Sequence, residues 1–535
     1  MTGDWIRSGN GGRYSRTLEV CAYGLAFAIV AAIGAANLFY PFGPDQAVIF
    51  DGAKRMDQGA IYYAGYWDNK QPGLYWFYLL AGRLFGFSES GIHLLELLYL
   101  LAFAVVTMAA LRNAFKLRWL SAFVPVATIG VYYGSSTEFE LTQLEFLVSF
   151  PLFVFILCLL AAHRRPRAMA GLYFLSGLLA GVAVLFKLIL APLCVGLWLV
   201  ALAYHLKERN AGLIALGLRA VLPASVGVVL VLGSVVLLYA HWGYLDALIW
   251  TSFVYPPEAL AVAPHASKTR LITAFAFFIS GFAPWALFAI FAVVAWAWRR
   301  RDLLGALMLA WLVIGVGLFL VQRFSWWHYH TLLILFPAGF FAIAGIDRIC
   351  AWLGEVPAVS AFRASVIAGL LAVTAGAPLA EDFVHKAQPL LSSVAVSGKG
   401  IRSYQSLPKF SSYYANCLRA VRFLRSPEAL PGPIYVFGSA IVYEFSGRVS
   451  PHPTNGWSWE YYLPEQIDDI LTTLDRQQVP YVFVGREGHY TNRDPLTLFR
   501  TRPKIARFLR DHYVLADEGP GGAWYRRAGL AGSGS

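Results

Sequence analysis

Apolar runs long enough to cross a lipid bilayer recur along most of this chain, and that feature limits it to a bundle of membrane helices. A span needs about 20 mainly apolar residues. Eleven runs approach that length, at 17–40, 91–111, 119–135, 145–162, 168–186, 188–205, 219–240, 271–297, 303–321, 330–350 and 361–379. Only 14% of the residues are charged, whereas soluble domains carry about a quarter. Lipid-facing surface has replaced hydrated surface.

Basic residues alternate in register with these runs. Arg7, Arg13 and Arg16 precede the first run, Arg112, Lys116 and Arg118 follow the second, and Arg164, Arg165 and Arg167 follow the fourth. Lys207, Arg209 and Arg219 continue the pattern after the sixth, Arg299, Arg300 and Arg301 after the eighth, and Arg348 and Arg363 around the tenth. The positive-inside rule then sets the N-terminus in the cytosol. Loops 41–90, 136–144, 241–270 and 322–329, with everything after about 380, fall outside. This topology accounts for the net charge of +12, so no nucleic-acid partner is expected.

The first run lacks a small-residue cleavage site and reads as a retained span. Four of the five cysteines lie in apolar runs, with no disulfide or metal spacing. Residues 1–379 read as the membrane domain, and loop 41–90 as interfacial amphipathic helices. Segments 434–438 and 481–485 read as buried strands ended by glycine, beside helical patterns at 412–425 and at 464–477 with Pro464 at its start. Residues 380–527 therefore read as a small α/β domain, and 528–535 as a disordered tail or cloning scar.

Asp45 stands just past the first run, behind Tyr40-Pro41-Phe42-Gly43-Pro44, whose prolines and glycine end the helix. A carboxylate there suits a general base for an acceptor hydroxyl. The plainer reading is a solvated loop aspartate or a cap for a helix over 46–57. Asp51 and Asp57 read as polar-face residues. Lys70, in Trp67-Asp68-Asn69-Lys70-Gln71-Pro72, suits a point charge for phosphate or a side chain snorkelling to lipid head groups.

Glu138, Glu140 and Glu145 crowd one outer loop without a basic neighbour. Such density needs solvent or a cationic partner. A helix would put Glu138 and Glu145 on one face and Glu140 elsewhere. Acceptor binding or a second carboxylate is open to each. Lys187, between two short spans, reaches the same cavity or snorkels. Segment 322–330 offers Arg323 for bidentate phosphate contact, and Trp326, Trp327 and Tyr329 for a sugar ring or a head-group belt. His241, His265, His328 and His330 are all outside but show no HExxH or paired cysteines, so no metal site is expected. Walker A, GxGxxG and GxSxG patterns are absent, which argues against ATP-driven chemistry.

Asp45, Gly59-Ala60-Ile61-Tyr62-Tyr63, the stretch Trp67 to Tyr75, and His328-Tyr329-His330 leading into Leu335-Phe336-Pro337-Ala338 occur in an order that resembles the GT-C membrane glycosyltransferases. The nearest branch is the bacterial one related to lipid A aminoarabinose transferase and the protein O-mannosyltransferases. The resemblance implies a polytopic GT-C-like fold with an outer α/β domain, in a bacterial inner membrane. It implies transfer of one sugar, with inversion, from a polyprenyl-phosphate donor to a hydroxyl of a lipid, glycan or lipopolysaccharide acceptor. Asp45 is then the matching base and Lys70 the phosphate holder. Tyr62, Arg323, His328 and His330 become donor contacts, and no cofactor is implied. Two departures stand out. Asp45-Gln46 replaces the Asp-Glu of many relatives, which weighs against a bridged divalent metal, and Lys70-Gln71-Pro72 replaces Lys-Pro-Pro, which loosens the loop. A flippase for lipid-linked sugars and a non-catalytic scaffold are the competing readings. Polar residues crowd the outer rims rather than mid-membrane, which favours the enzyme.

Overall fold

The computed structural model describes residues 11–209, 212–262, 267–299, 302–323, 325–353, 361–393, 400–407, 409–410, 412–457, 459–486 and 495–530. Among them, ten helices are long and apolar enough to cross a membrane. The remaining expected span, 119–135, is a helical run at 118–135 that passes from a 3-10 turn through a π turn after Pro125 to a final α turn. Residues 120–134 are buried throughout. Sheathed by protein instead of lipid, this helix carries Thr128, Tyr132 and Tyr133 and is less apolar than its neighbours.

Helix α1 (Gly11–Ala35) leads into the first outer loop, which folds as α2 (Pro44–Asp57) and α3 (Pro72–Phe85) before α4 (Glu89–Leu111) returns. The later spans include α5 (Met169–Phe186), α6 (Leu222–His241), α7 (Lys268–Arg299) and α8 (Leu335–Leu353). α5 and α6 approach so closely that a Cβ at Gly177 would collide with the Ala224 carbonyl. With no hydrophobic drive between helices in lipid, such small-residue contacts supply the packing.

At one end of the bundle the basic connection after α4 meets α1 and α8. Glu19 on α1 accepts a hydrogen bond from Arg112 at 2.9 Å, and the Asp347 carboxylate on α8 accepts the N–H groups of Lys116 and Leu117 at 3.0 and 2.9 Å. The polar loops meet at the other end, against the C-terminal domain. Trp67 N–H donates to Pro453 O at 2.9 Å, Arg402 pairs with Glu89 at 2.9 Å, and Tyr255 OH donates to Tyr461 O at 3.0 Å.

The last membrane helix, α9 (Ala361–Leu391), runs beyond the expected boundary at 379. The domain that follows holds a four-stranded sheet in the spatial order Ile434–Phe437 (β1), Tyr481–Gly485 (β2), Gly522–Arg527 (β4) and Tyr513–Gly519 (β3). Strands β1 (Ile434–Phe437) and β2 (Tyr481–Gly485) are parallel and fully buried, as their apolar runs suggested. Helix α10 (Pro464–Arg476) starts at Pro464, and Gln466 Oε1 accepts the Leu463 N–H at 3.0 Å. The antiparallel hairpin of β3 (Tyr513–Gly519) and β4 (Gly522–Arg527) had no sequence signal, because β3 exposes Val514, Leu515 and Ala516 in succession without alternation.

Candidate active site

Asp45 sits in the first turn of α2, where the helix dipole favours negative charge. Gly43 precedes it, and a Cβ there would collide with the Glu138 carbonyl, so the start of α2 lies directly against the acidic loop. Three distant segments converge on the Asp45 carboxylate. Tyr329 OH donates to Oδ2 and Trp457 Nε1 donates to Oδ1, both at 3.0 Å. Lys70 Nζ stands 3.8 Å from Oδ1.

Lys70 is held from behind. Asp68, which is buried, accepts from Tyr75 OH at 2.8 Å and from Lys70 Nζ at 3.2 Å. Tyr62 OH and Tyr63 OH both donate to the Lys70 carbonyl at 2.7 Å. Burial alone would depress the lysine pKa, but the carboxylates of Asp68 and Asp45 outweigh it and hold the ammonium charged, with a raised pKa. Tyr62 was expected among the contacts to the donor's phosphate or sugar. It is fully buried against Tyr63 and Tyr75, so it positions the Lys70 backbone from behind the cavity wall.

The acidic loop is not helical at 136–143; a short helix begins only at Leu144. Glu145 Oε1 pairs with Lys187 Nζ at 2.8 Å and lies 3.6 Å from His330 Nε2. Lys187 also donates to Gln322 Oε1 at 2.8 Å. Glu140 turns away to His328 and to the N–H and hydroxyl of Thr137. Burial would raise the Glu140 pKa, yet its His328 and Thr137 hydrogen bonds overcome this and lower it.

A buried network below joins α2 to this loop. Glu96 accepts the N–H and hydroxyl of Thr142, each at 2.9 Å, and the Tyr132 hydroxyl. Gln46 Nε2 reaches Thr142 Oγ1 at 3.3 Å and His93 Nε2 at 3.0 Å, while Gln46 Oε1 accepts the Gly43 N–H at 3.1 Å. The residue at 46 that departs from the Asp-Glu pattern is thus a connector needing both donor and acceptor, which a carboxylate lacks. Thr142 has a positive φ of 54°, an uncommon backbone state for a β-branched residue that Glu96 clamps in place.

These groups surround a hollow of about 470 Å³. Asp45, Lys70, Glu138, Glu145, Lys187, His328 and His330 line it, with Trp327, Tyr329, Trp457 and Tyr461. Ile189, Ala259, Leu260 and Val321 add apolar side chains to the lining. Tyr62, Glu140 and Arg323 do not line it; Arg323 is exposed. Arg270 touches two lining residues: its guanidinium lies 4.4 Å from the Trp327 ring centre and donates to Ser325 O at 3.3 Å. Arg270, Asp68, Glu96 and Trp457 were not singled out in the sequence. Only Asp68 had a usable signal, its place two residues before Lys70. His241 is exposed and off the lining, and His265 lies outside the described residues. Among the described residues, no three His, Cys, Asp or Glu side chains are grouped to hold a metal.

The fold has solved counterparts. ArnT from Cupriavidus metallidurans bound to undecaprenyl phosphate matches with a TM-score of 0.59 at 14% identity, covering 96% of this chain and 99% of that one. The same protein in the apo state matches with a TM-score of 0.59 at 16% identity and the same coverage. The archaeal oligosaccharyltransferase AglB from Archaeoglobus fulgidus, in complex with an inhibitory peptide and a dolichol-phosphate, matches with a TM-score of 0.53 at 13% identity, covering 96% of this chain and 74% of that one. No family model and no curated protein matches the sequence. The chain therefore has the expected GT-C-like architecture, a polytopic helical domain carrying a small α/β domain.

Proposed function

We propose that the protein is an integral-membrane glycosyltransferase that moves one sugar from a polyprenyl-phosphate donor to an acceptor hydroxyl on the outer side of a bacterial inner membrane. The observation that carries this reading is the meeting of Asp45 and Lys70 in a hollow whose lining is partly apolar. The two structural counterparts each hold a lipid phosphate, undecaprenyl phosphate in one and dolichol-phosphate in the other. The apolar side chains of Ile189, Leu260 and Val321 on the lining suit a prenyl chain, and Lys70 the phosphate at its end.

Asp45 is the group best placed to take a proton. Its hydrogen-bond partners, Tyr329 and Trp457, are neutral, and Lys70 stands 3.8 Å away, nearer to Asp68 than to it. Glu145, by contrast, is neutralised by Lys187 at 2.8 Å. The acceptor oxygen attacks the anomeric carbon, the carbon–oxygen bond to phosphate breaks, and the phosphate leaves with the bonding electrons beside Lys70. Asp45 receives the hydroxyl proton. Alignment of the two substrates and cationic stabilisation of the leaving group supply the rest of the acceleration. One-step displacement inverts the anomeric centre.

Asp45→Asn should lower transfer by at least about a hundredfold while donor lipid still binds. The readout is mass spectrometry of envelope glycolipids from cells carrying either form, with the anomeric configuration of the product. Full activity of the variant removes Asp45 from the mechanism, and a retained configuration excludes the single displacement. Translocation of labelled lipid in proteoliposomes without a new glycosidic bond would assign the hollow to carriage of lipid-linked sugars instead.

A further inference from the structure

The outer domain reaches the Asp45 carboxylate through a loop at 453–457 whose shape is tightly fixed. Gly456 has a positive φ of 76°, and a Cβ there would strike the Val436 carbonyl of β1, so only glycine fits. Its N–H donates to Tyr462 OH at 3.0 Å, and its carbonyl accepts the Gly438 N–H at 3.1 Å. Asn455, just before it, is 1% exposed, and both ends of its amide are used. Oδ1 accepts the Trp457 N–H at 2.8 Å, and Nδ2 donates to the Trp67 carbonyl at 3.3 Å. Both partners are main-chain groups of fixed polarity, so only an amide in this orientation satisfies the two together.

Those two partners lead to the two halves of the reaction site. Trp457 Nε1 donates to Asp45 Oδ1 at 3.0 Å. Trp67 is followed by Asp68, which holds Lys70 Nζ at 3.2 Å. Asp45 and Lys70 approach each other to 3.8 Å, too far for a hydrogen bond to fix their spacing. Resting on the reading of Asp45 as the base and Lys70 as the phosphate holder, we propose that Asn455 is a positioning residue that sets the spacing of the two, through Trp457 on one side and the Trp67 main chain on the other. The outer domain is then a working part of the reaction site. The attacking hydroxyl and the leaving phosphate must be aligned together, and a misplacement of about 1 Å costs about a hundredfold in rate. A buried amide tied to both segments resists such a shift.

Two substitutions separate the arms. Trp457→Phe keeps a ring and removes the N–H that reaches Asp45. Asn455→Ser keeps an acceptor for the Trp457 N–H, as a serine turn does, but its hydroxyl stops short of the Trp67 carbonyl. The full-length protein is measured in two ways: the rate of glycolipid formation in isolated membranes, by mass spectrometry, and binding of undecaprenyl phosphate in detergent, by native mass spectrometry. Trp457→Phe should slow transfer about tenfold with lipid binding within about twofold of wild type. Asn455→Ser should weaken lipid binding about threefold, the worth of one hydrogen bond. Added to Asp45→Asn, Trp457→Phe should cost less than about twofold further, because it acts through that carboxylate, whereas a merely structural residue would slow both forms alike. A tenfold loss in both backgrounds, unchanged transfer in Trp457→Phe, or unchanged lipid binding in Asn455→Ser overturns the positioning role while the base and phosphate readings stand. Full activity of Asp45→Asn, or no binding of undecaprenyl phosphate by the wild type, overturns those readings and the positioning role with them.

Discussion

The hollow contains two lysine–carboxylate pairs that differ in how they are held. Asp45 and Lys70 are 3.8 Å apart, with side chains 21% and 19% exposed, and each has closer partners elsewhere: Tyr329 and Trp457 for Asp45, Asp68 for Lys70. Glu145 and Lys187 touch at 2.8 Å, and Glu145 is 5% exposed. An incoming phosphate can take Lys70 from Asp45 without leaving either charge stranded. Separating Glu145 from Lys187 strands a carboxylate in a dry wall, which is the costly case for buried pairs. The loose pair can change partners during turnover, whereas the tight pair keeps the cavity in shape.

The largest expected contrast follows from that difference. Glu145→Ala should destabilise the full-length protein by about 2–3 kcal/mol, below the usual figure for a fully buried pair because Lys187 keeps some solvent. Asp45→Asn should change stability by less than about 0.5 kcal/mol. Thermal melting in detergent measures both, and equal losses would erase the distinction between the pairs.

A smaller effect is expected from the network that ties the two pairs together. Glu96→Gln substitutes an amide donor where Thr142 and Tyr132 already supply only donors. It should cost about 1–2 kcal/mol and lower kcat while KM moves little, because Thr142 and Gln46 then hold the acidic loop and α2 less firmly. Unchanged kcat would show that the pairs are positioned independently of Glu96.

The smallest concerns the outer domain that supplies Trp457. His452 hydrogen-bonds Thr454 at 2.7 Å and Asp469 at 2.9 Å, within the loop that docks on Trp67. Burial lowers its pKa, and Asp469 only partly opposes this. The folded state thus prefers neutral imidazole. Its contribution is complete above the ordinary histidine value of about 6.5 and is lost as pH falls from there through the depressed value. Melting temperature should decline across that window in the wild type and less in His452→Asn. A steeper decline in the variant would place the titrating group elsewhere.

Much of the molecule was legible in the chain because membrane insertion acts on composition. Ten of the eleven expected spans follow from apolar length alone. The exception at 118–135 is a helix buried by its neighbours, where lipid no longer dictates apolarity. Asp45 and Lys70 could be singled out because each interrupts an aromatic, helix-ending stretch with a charge. A helix would have put Glu138 and Glu145 on one face; Glu138 lies instead on a non-helical loop and Glu145 in the first turn of a short helix, and both line one hollow. Partners were not legible. Nothing in sequence spacing brings Trp457 to Asp45 across the domain boundary, or Lys187 to Glu145 across two helices.

The sequence by itself determined a multi-span helical body, the end at which its polar loops gather, and the chemical types available there, since hydropathy and charge are properties of residues. Tertiary structure alone decided which carboxylate stays loosely paired and which is neutralised, put Tyr62 and Glu140 behind the wall and left Arg323 outside it. Those outcomes depend on distances of a few ångströms between segments hundreds of residues apart, set by how helices and outer domain pack.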